Sequence, residues 1–479
     1  MSPVQNLVPQ GGYLKDSIYP AHFHREIMPV WLQSTLVALG RSTPNLQSTY
    51  RWLELGCGSG ISAVVAAATN PLGHFVGIDA NPNAIEQAKA LAHSAGLCNV
   101  EFHCETFEHA LTASQHAIAP YDFIVCHGVY SWVNQATRLS IHKLIDALLK
   151  HGGVAYVSYA SQPGSAGMAS AQKMMHLIAD LHGGDTALRT RHAVDFMGRL
   201  TQAGAGHLIE HPRMVREILH LASQDIHYTA HELTNSHWES LHCADVMAEF
   251  EAIGCDYVGS ATRIENLDAA SIPQQCQPLL ADLRLQGASV PTMETFKDIA
   301  RNQSQRRDLY QRIPLRGDNR LPTDIHRQRL LNQRICLLPC TPSHHDFKGA
   351  QLRIETRIGP LEIQMEHLRP LLNALQARPV TYADLARLPA YASQPGQINQ
   401  WLQCLADVGW LQFLRPDTDG EIFESTTVIA LNKALAQIPV GVPAHFIQAL
   451  PHTGSAFAVP ATELAAAQAT PTVGRVGKS

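Results

Sequence analysis

The stretch Trp52-Leu-Glu-Leu-Gly-Cys-Gly-Ser-Gly60 decides the fold. The β-prone run Arg51 to Leu55 leads into three alternate glycines, and an Ala/Val-rich segment at helical spacing, Ile61 to Thr69, follows directly. That order is strand, tight turn, helix. Downstream, His74 to Asp79 reads as a second strand, and Pro82 opens a helix reaching about Ala95, with proline at the first-turn position where its missing N–H costs nothing. Asn99 to His103, Tyr121 to Cys126 and Val154 to Tyr159 supply three more strands, with a helix from Asn134 to Lys150 before the last. Short apolar strands alternating with helices predict an α/β, doubly wound parallel sheet.

The flanks are read outward from this sheet. Residues 1–45 form an N-terminal extension or lid with a helix from about Pro29, 46–162 the nucleotide-type domain, and 163–335 a helical middle domain broken at Gly183-Gly184 and Pro212. Cys255 to Ile264 is a candidate strand returning to the main sheet. Residues 301–334 carry nine arginines, three aspartates and no lysine, which reads as a solvated linker helix, with a polyanion patch as the sharper alternative. Residues 336–452 form a winged-helix-like C-terminal module: helices over Leu368–Ala377, Tyr382–Leu388 and Gln397–Val408, then a strand over Trp410–Leu414. Its third helix offers Gln397, Asn399, Gln400, Gln403 and Asp407 rather than arginines, favouring packing or protein contact over phosphate contact. A protein acceptor, or a second copy of the chain in a homodimer, is the partner such a module suggests. From about Thr453 to 479 the Ala/Thr/Pro/Gly-rich sequence is expected to be a disordered tail.

Composition removes several function classes. At 479 residues the chain allows two to four domains at roughly 100 to 200 residues each. Its net charge of -5 supplies no bulk cationic field for nucleic acid or anionic lipid. No apolar run reaches the roughly 18 residues of a membrane span, and cytoplasmic residence is the default expectation. Cys336, Cys340, His344 and His345 lie close in sequence, but prolines interrupt them and no second cysteine pair accompanies them, so no metal is expected.

The chemistry is read at the strand ends. A dinucleotide fingerprint wants GxGxxG and a pyrophosphate at the helix N-terminus. Here Gly56, Gly58 and Gly60 are spaced GxGxG, and Glu54 stands two residues before the first of them. A carboxylate there repels pyrophosphate and suits an ammonium and a sulfonium, which together describe S-adenosyl-L-methionine. Asp79, closing the second strand with Ala80 beside it, can accept both ribose hydroxyls.

These residues resemble the motifs of class I S-adenosylmethionine-dependent methyltransferases. In that family the end of the third strand cradles the adenine, usually with an Asp; Glu105-Thr106-Phe107 stands here, with Thr106 at the Asp position. His127-Gly-Val-Tyr-Ser-Trp132 after the fourth strand is similar to the hallmark of bacterial methyltransferases with a methyltransferase regulatory domain, among them the rickettsial outer-membrane-protein lysine methyltransferases. The likeness continues through His231-Glu232, Asn235, Trp238, Asp245-Val246, Gly259-Ser260-Ala261 and Glu265-Asn266. It then takes in Glu294, Asp298, Arg301-Asn302 and Arg306, so that it covers roughly residues 13 to 415. The chain departs from the family at Ile27-Met28-Pro29, where Thr-His-Pro is usual, and at Ala160 to Ala166, where an aromatic and a histidine are missing.

The resemblance implies methyl transfer to a protein lysine, with a small-molecule N- or O-methyltransferase as the alternative. A lysine of pKa about 10.4 is deprotonated roughly once in 2,500 at neutral pH, a cost of about 4.6 kcal/mol that desolvation or a base must offset. His127, Tyr130, Trp132 and Tyr159 follow strands four and five at the ligand-binding edge and are the candidate acceptor platform, with His127 also a candidate cofactor contact. Their rings suit a methylammonium group.

Overall fold

The computed structural model describes residues 19–114, 119–342, 351–394, 396–418, 423–438 and 445–460. α1 (Pro29–Ala38) comes first and is buried along most of its length, Trp31 and Leu32 included. The sheet comprises β1 (Tyr50–Leu55), β2 (Gly73–Asp79), β3 (Val100–Cys104), β4 (Tyr121–Cys126), β5 (Leu149–Ala160), β6 (Cys255–Ser260) and β7 (Gln305–Arg312), in the order β3-β2-β1-β4-β5-β7-β6. β1 to β5 are parallel; β7 runs antiparallel to both of its neighbours. Their crossovers are α2 (Ile61–Thr69), α3 (Pro82–Ser94), α4 (Phe107–Ser114) and α5 (Gln135–Leu148). α2 is buried all round, which is why it reads as unbroken Ala and Val. α3 starts where the Asn81 side chain accepts from the Asn83 and Ala84 amides, with Pro82 in the first turn. The doubly wound sheet expected from the sequence is present, and the candidate strand at Cys255 does return to it as β6.

A helical insertion follows β5: α6 (Met168–Leu181), α7 (Thr186–Gln202), α8 (Gly206–Glu210), α9 (Pro212–Ala222) and α10 (Ile226–Leu233). It packs around its own core of Met175, Ala193, Met197 and Ile218. α11 (Cys243–Glu251) leads into β6, and α12 (Asp268–Ser271), α13 (Gln277–Leu285) and α14 (Val290–Arg301) lead into β7.

The arginine-rich stretch corrects the sequence reading. Of residues 301–334, read as a solvated linker helix, Thr323–Asn332 is a helix with no buried residue, but 305–312 form an interior strand. Successive side chains of a strand point to opposite faces, and on one face Arg306, Asp308 and Tyr310 are all at most 1% exposed. Arg306 donates from Nε to both oxygens of Asp308 (2.9 and 3.0 Å), from Nη1 to Asp298 (2.6 Å), and from Nη2 to Glu294 (3.1 Å) and the Tyr257 hydroxyl (2.9 Å). Glu294 and Asp298 are four apart on α14 and so share one helix face. The charges on this face of the strand form a buried ionic core.

The C-terminal part contains α15 (Thr323–Asn332), β8 (Arg334–Leu337), the hairpin β9 (Gln351–Thr356) and β10 (Gly359–Gln364), and α16 (Met365–Ala377). β11 (Val380–Thr381), α17 (Tyr382–Ala386), α18 (Gly396–Val408) and β12 (Leu411–Phe413) follow, with β11-β8-β12 as a small antiparallel sheet. A capping box between Thr381 and Asp384 starts α17. Part of α18 is engaged internally: Gln403 accepts from Arg263 (2.8 Å), and Arg25 donates to the Asp407 carbonyl, while Gln400 stays exposed. The apolar residues of this part share one continuous core with the α1 and α2 side of the main sheet. α19 (Thr426–Leu435) packs with β13 (His445–Leu450), which pairs with β14 (Ser455–Pro460). Ordered chain therefore continues past residue 453, where the tail was expected to begin, and residues 461–479 lie outside the described residues.

Cys336 is buried and Cys340 exposed, while His344 and His345 lie outside the described residues. Among the described residues no group of three or more His, Cys, Asp or Glu is placed to hold a metal ion, and no helix is long and apolar enough to cross a membrane.

Candidate active site

A cavity of about 800 Å³ opens where the carboxyl ends of β1 to β4 meet the N-terminal segment, α10 and the start of β7. Its first half is built from the strand ends. Glu54 is buried on β1, and its Oε2 has no hydrogen-bond partner among the described residues. Burial and the nearby Asp79 push its carboxyl well above the usual range. Asp79 accepts from the Gly58 amide at Oδ2 (2.9 Å) and from the Asn81 amide at Oδ1 (2.8 Å), which ties the glycine loop to the end of β2. Burial raises its pKa as well, against the pull of those amides.

The three glycines serve different ends. A side chain at Gly58 would point into open space, which leaves this position room for a ligand. At Gly60 a Cβ would lie 2.6 Å from Ala88 and 2.8 Å from Phe102, and at Gly56 2.3 Å from Val129, so these two permit close packing of the loop. The sequence reading gave all three to the ligand; Gly56 and Gly58 line the cavity, and Gly60 does not.

Ala80, Glu105, Thr106 and Phe107 line the same half. Glu105 is engaged by His109 Nδ1 at 2.7 Å, and Thr106 Oγ1 accepts from the His109 amide at 3.3 Å.

The second half was largely missed at the level of sequence. Tyr19, His22 and His24 from the N-terminal segment, Tyr228, His231 and Glu232 from α10, and Gln305 and Arg307 from β7 complete the wall. Ring contacts make it continuous: His127 stacks on His24 with centroids 3.6 Å apart, His24 on His22 at 6.0 Å, and Tyr228 lies 5.4 Å from both His22 and Tyr19. His127 is fixed by a 2.6 Å bond between Nδ1 and the Tyr156 hydroxyl. Burial holds His127 neutral, far below the usual histidine range, and lowers His24 to about 3. The likeness at His231-Glu232 and the expected lid over 1–45 were the available signals, but neither tells which atoms meet.

Of the expected platform, His127 and Trp132 line the cavity; Tyr130 and Tyr159 do not. Tyr130 is fully buried, donating to Glu249 and meeting His142 Nε2 at 2.7 Å, and Tyr159 donates to Asp308 at 2.6 Å in the ionic core. Pleat parity explains the second case: Tyr156 and Ser158 contact His127 and Gly128, so Tyr159 must face the other side of β5. Tyr130→Phe should therefore lower stability by about 1 to 3 kcal/mol and leave donor affinity unchanged. Thermal melting beside calorimetric titration checks this, and weakened donor binding in the folded variant would return Tyr130 to the site.

Charge decides what the cavity can hold. Among the described residues its lining includes the carboxyl groups of Glu54, Asp79, Glu105, Glu108 and Glu232 against one guanidinium, that of Arg307, with His24 and His127 held neutral. A polyphosphate would be repelled at the β1 and β2 ends, whereas a cationic ligand satisfies the orphaned Glu54 oxygen. S-adenosylmethionine fits this test: Glu54 would face its cationic portion, Gly58 leaves backbone room and Phe107 lines the cavity.

Comparison with known proteins agrees. A methyltransferase domain model matches residues 46–232, and a model described as a predicted methyltransferase regulatory domain matches residues 225–312. An uncharacterized protein of Synechocystis sp. is 29% identical over 380 residues, covering 78% of this chain and 71% of its own length. An uncharacterized protein of Rickettsia prowazekii is 32% identical over 171 residues, 34% of this chain and 30% of that protein. Among solved structures, PKMT2 from Rickettsia typhi in complex with AdoHcy superposes with a TM-score of 0.66 at 19% identity, covering 92% of this chain and 86% of that one. Fold, cavity and domain match together define an S-adenosylmethionine-dependent methyltransferase of class I. Within that class the chain carries a stretch that matches a predicted methyltransferase regulatory domain, and β6 and β7 of the sheet lie inside that match.

Proposed function

We propose that the chain methylates the amino group of lysine side chains in a protein acceptor. One observation carries the reading: the cavity is continuous from the strand ends into a half walled by tyrosine, tryptophan and neutral histidine rings and containing a carboxylate. Rings with a nearby negative charge suit an ammonium or methylammonium group, whereas an acidic acceptor would meet Glu232. In the donor half, Glu54 and Asp79 face the cationic and ribose portions, Gly58 and Ala80 allow backbone approach, and Thr106 and Phe107 flank the adenine. S-adenosylmethionine bound there supplies an electrophilic methyl on its sulfonium. The chain's residues then orient the acceptor in line with it and exclude water, with His127 and Trp132 at the boundary of the two halves. The motif likeness to the rickettsial lysine methyltransferases supports the same acceptor.

Incubating the pure protein with radiolabelled donor and a lysate of its host, followed by fractionation into protein, RNA and metabolites, tests this. Label in protein, recovered as methyllysine on hydrolysis, is the expected result. Label confined to metabolites would replace the lysine reading with a small-molecule N- or O-methyltransferase, and label in RNA would overturn both.

A further inference from the structure

The geometry points to Glu232 as the general base that takes the proton from the entering alkylammonium group, an inference that rests on the amine acceptor proposed above. The other carboxylates of the cavity are committed elsewhere. Asp79 is held by two backbone amides, Glu105 by His109, and Glu108 accepts from Thr137 at 3.3 Å; Glu54 sits under the glycine loop at the donor end. Glu232 stands in the acceptor half, on α10, where Oε1 receives the Tyr19 hydroxyl at 3.0 Å. The Tyr19 ring lies 5.4 Å from Tyr228 and 5.4 Å from His231, so the carboxylate is set among rings that favour a cation in front of it.

No lysine or arginine forms an ion pair with Glu232 among the described residues, leaving its charge for the incoming group. Burial and Glu217 of α9 raise its pKa to about 7, against the Tyr19 hydrogen bond that lowers it; Tyr228 is a further ionisable neighbour on its own helix, and His22, His231 and Arg307 line the same cavity. A base near the working pH transfers protons most effectively. His22, His24 and His127 are poor substitutes, since burial lowers all three.

The step balances as follows. An N–H bond of the ammonium breaks and an O–H bond forms on Glu232, leaving a neutral amine with its lone pair. The amine nitrogen bonds to the methyl carbon as the carbon–sulfur bond breaks, its electron pair staying on sulfur as a neutral thioether. The product is a methylammonium ion, and the Glu232 carboxyl returns its proton to water once that product leaves.

The test uses the full chain, with tritiated S-adenosylmethionine and host-lysate protein as the acceptor probe. Initial rates are followed from pH 6 to 9 for wild type, Glu232→Gln and Glu232→Asp. Wild type should rise with pH to a break near 7. Glu232→Gln should lose about 10²-fold at pH 7, regain rate steadily as pH rises, and keep its calorimetric donor affinity, while Glu232→Asp keeps a break. A carboxyl infrared band titrating near neutrality should vanish in Glu232→Gln. A wild-type rate and profile in Glu232→Gln overturns the assignment, as does a parallel fall in donor affinity and melting temperature. If wild type labels RNA or metabolites and no protein, the lysine reading fails first and takes the base assignment with it.

Discussion

Arg306→Met should cost about 3 to 5 kcal/mol of stability, enough to leave much of the chain unfolded at neutral pH. The side chain is 1% exposed and answers Asp308, Asp298 and Glu294 at once. Burial opposes its charge, but Asp308, Tyr257, Tyr159 and Asp298 outweigh that and hold the guanidinium protonated more firmly than usual. Glu294 shows the reciprocal effect: burial would raise its pKa, yet Arg306 and Lys297 bring it down to about 2. A depressed carboxylate contributes stability that is present above its unfolded value of 4.5 and is lost as pH falls toward 2. Remove the arginine and that contribution reverses, because up to three buried carboxylates are left with less cation to answer them. The deficit of Arg306→Met against wild type should therefore be largest near pH 7 and shrink toward pH 5 as the carboxyls take up protons. Circular-dichroism melts across that range check it. A constant deficit, or none, would show that the charges do not hold β7 in place.

Asp79→Ala should weaken S-adenosylmethionine binding by about 1.5 to 3 kcal/mol, roughly 10- to 150-fold in Kd. Two losses combine, since the carboxylate both faces the cavity and fastens the Gly58 amide to the end of β2. Asp79→Asn separates them: it keeps one acceptor oxygen for the loop and removes the charge. Glu54 and Asp79 both sit above the usual carboxylate range, by burial and, for Glu54, by the other's charge, so a cationic donor should release a proton as it binds. Calorimetry in buffers of different ionisation enthalpy would detect it, and the release should shrink in Asp79→Asn. Unchanged affinity in a folded Asp79→Ala would remove Asp79 from the donor site.

The donor half was legible because its residues are consecutive in sequence and their position at strand ends follows from the topology alone. Glu54, Asp79 and Thr106 fall there wherever a strand stops. The acceptor half was not, because residues as distant as Tyr19, Glu232 and Arg307 meet only once the insertion and β7 are folded against the sheet. Position at a strand end also fixes which edge a residue occupies but not which face, and Tyr159 was misassigned for that reason. β7 itself was hidden because strand signals are apolar alternation, while Gln305 to Arg312 is mostly charged and polar. The one cue was Arg306 and Asp308 two apart, matched by Glu294 and Asp298 four apart, a pattern that reads as surface until the two elements are placed face to face.

The place of β7 between β5 and β6 also sets an order of events at the ribosome. β5 ends at Ala160 and β7 begins at Gln305, so the edge of β5 emerges with its backbone amides and carbonyls unanswered while the whole insertion is still being made. β6 emerges earlier than β7 yet cannot take that edge in the final order. An unpaired interior edge is a template for the wrong partner. The nascent chain is thus exposed to misassembly for the time needed to translate well over a hundred residues.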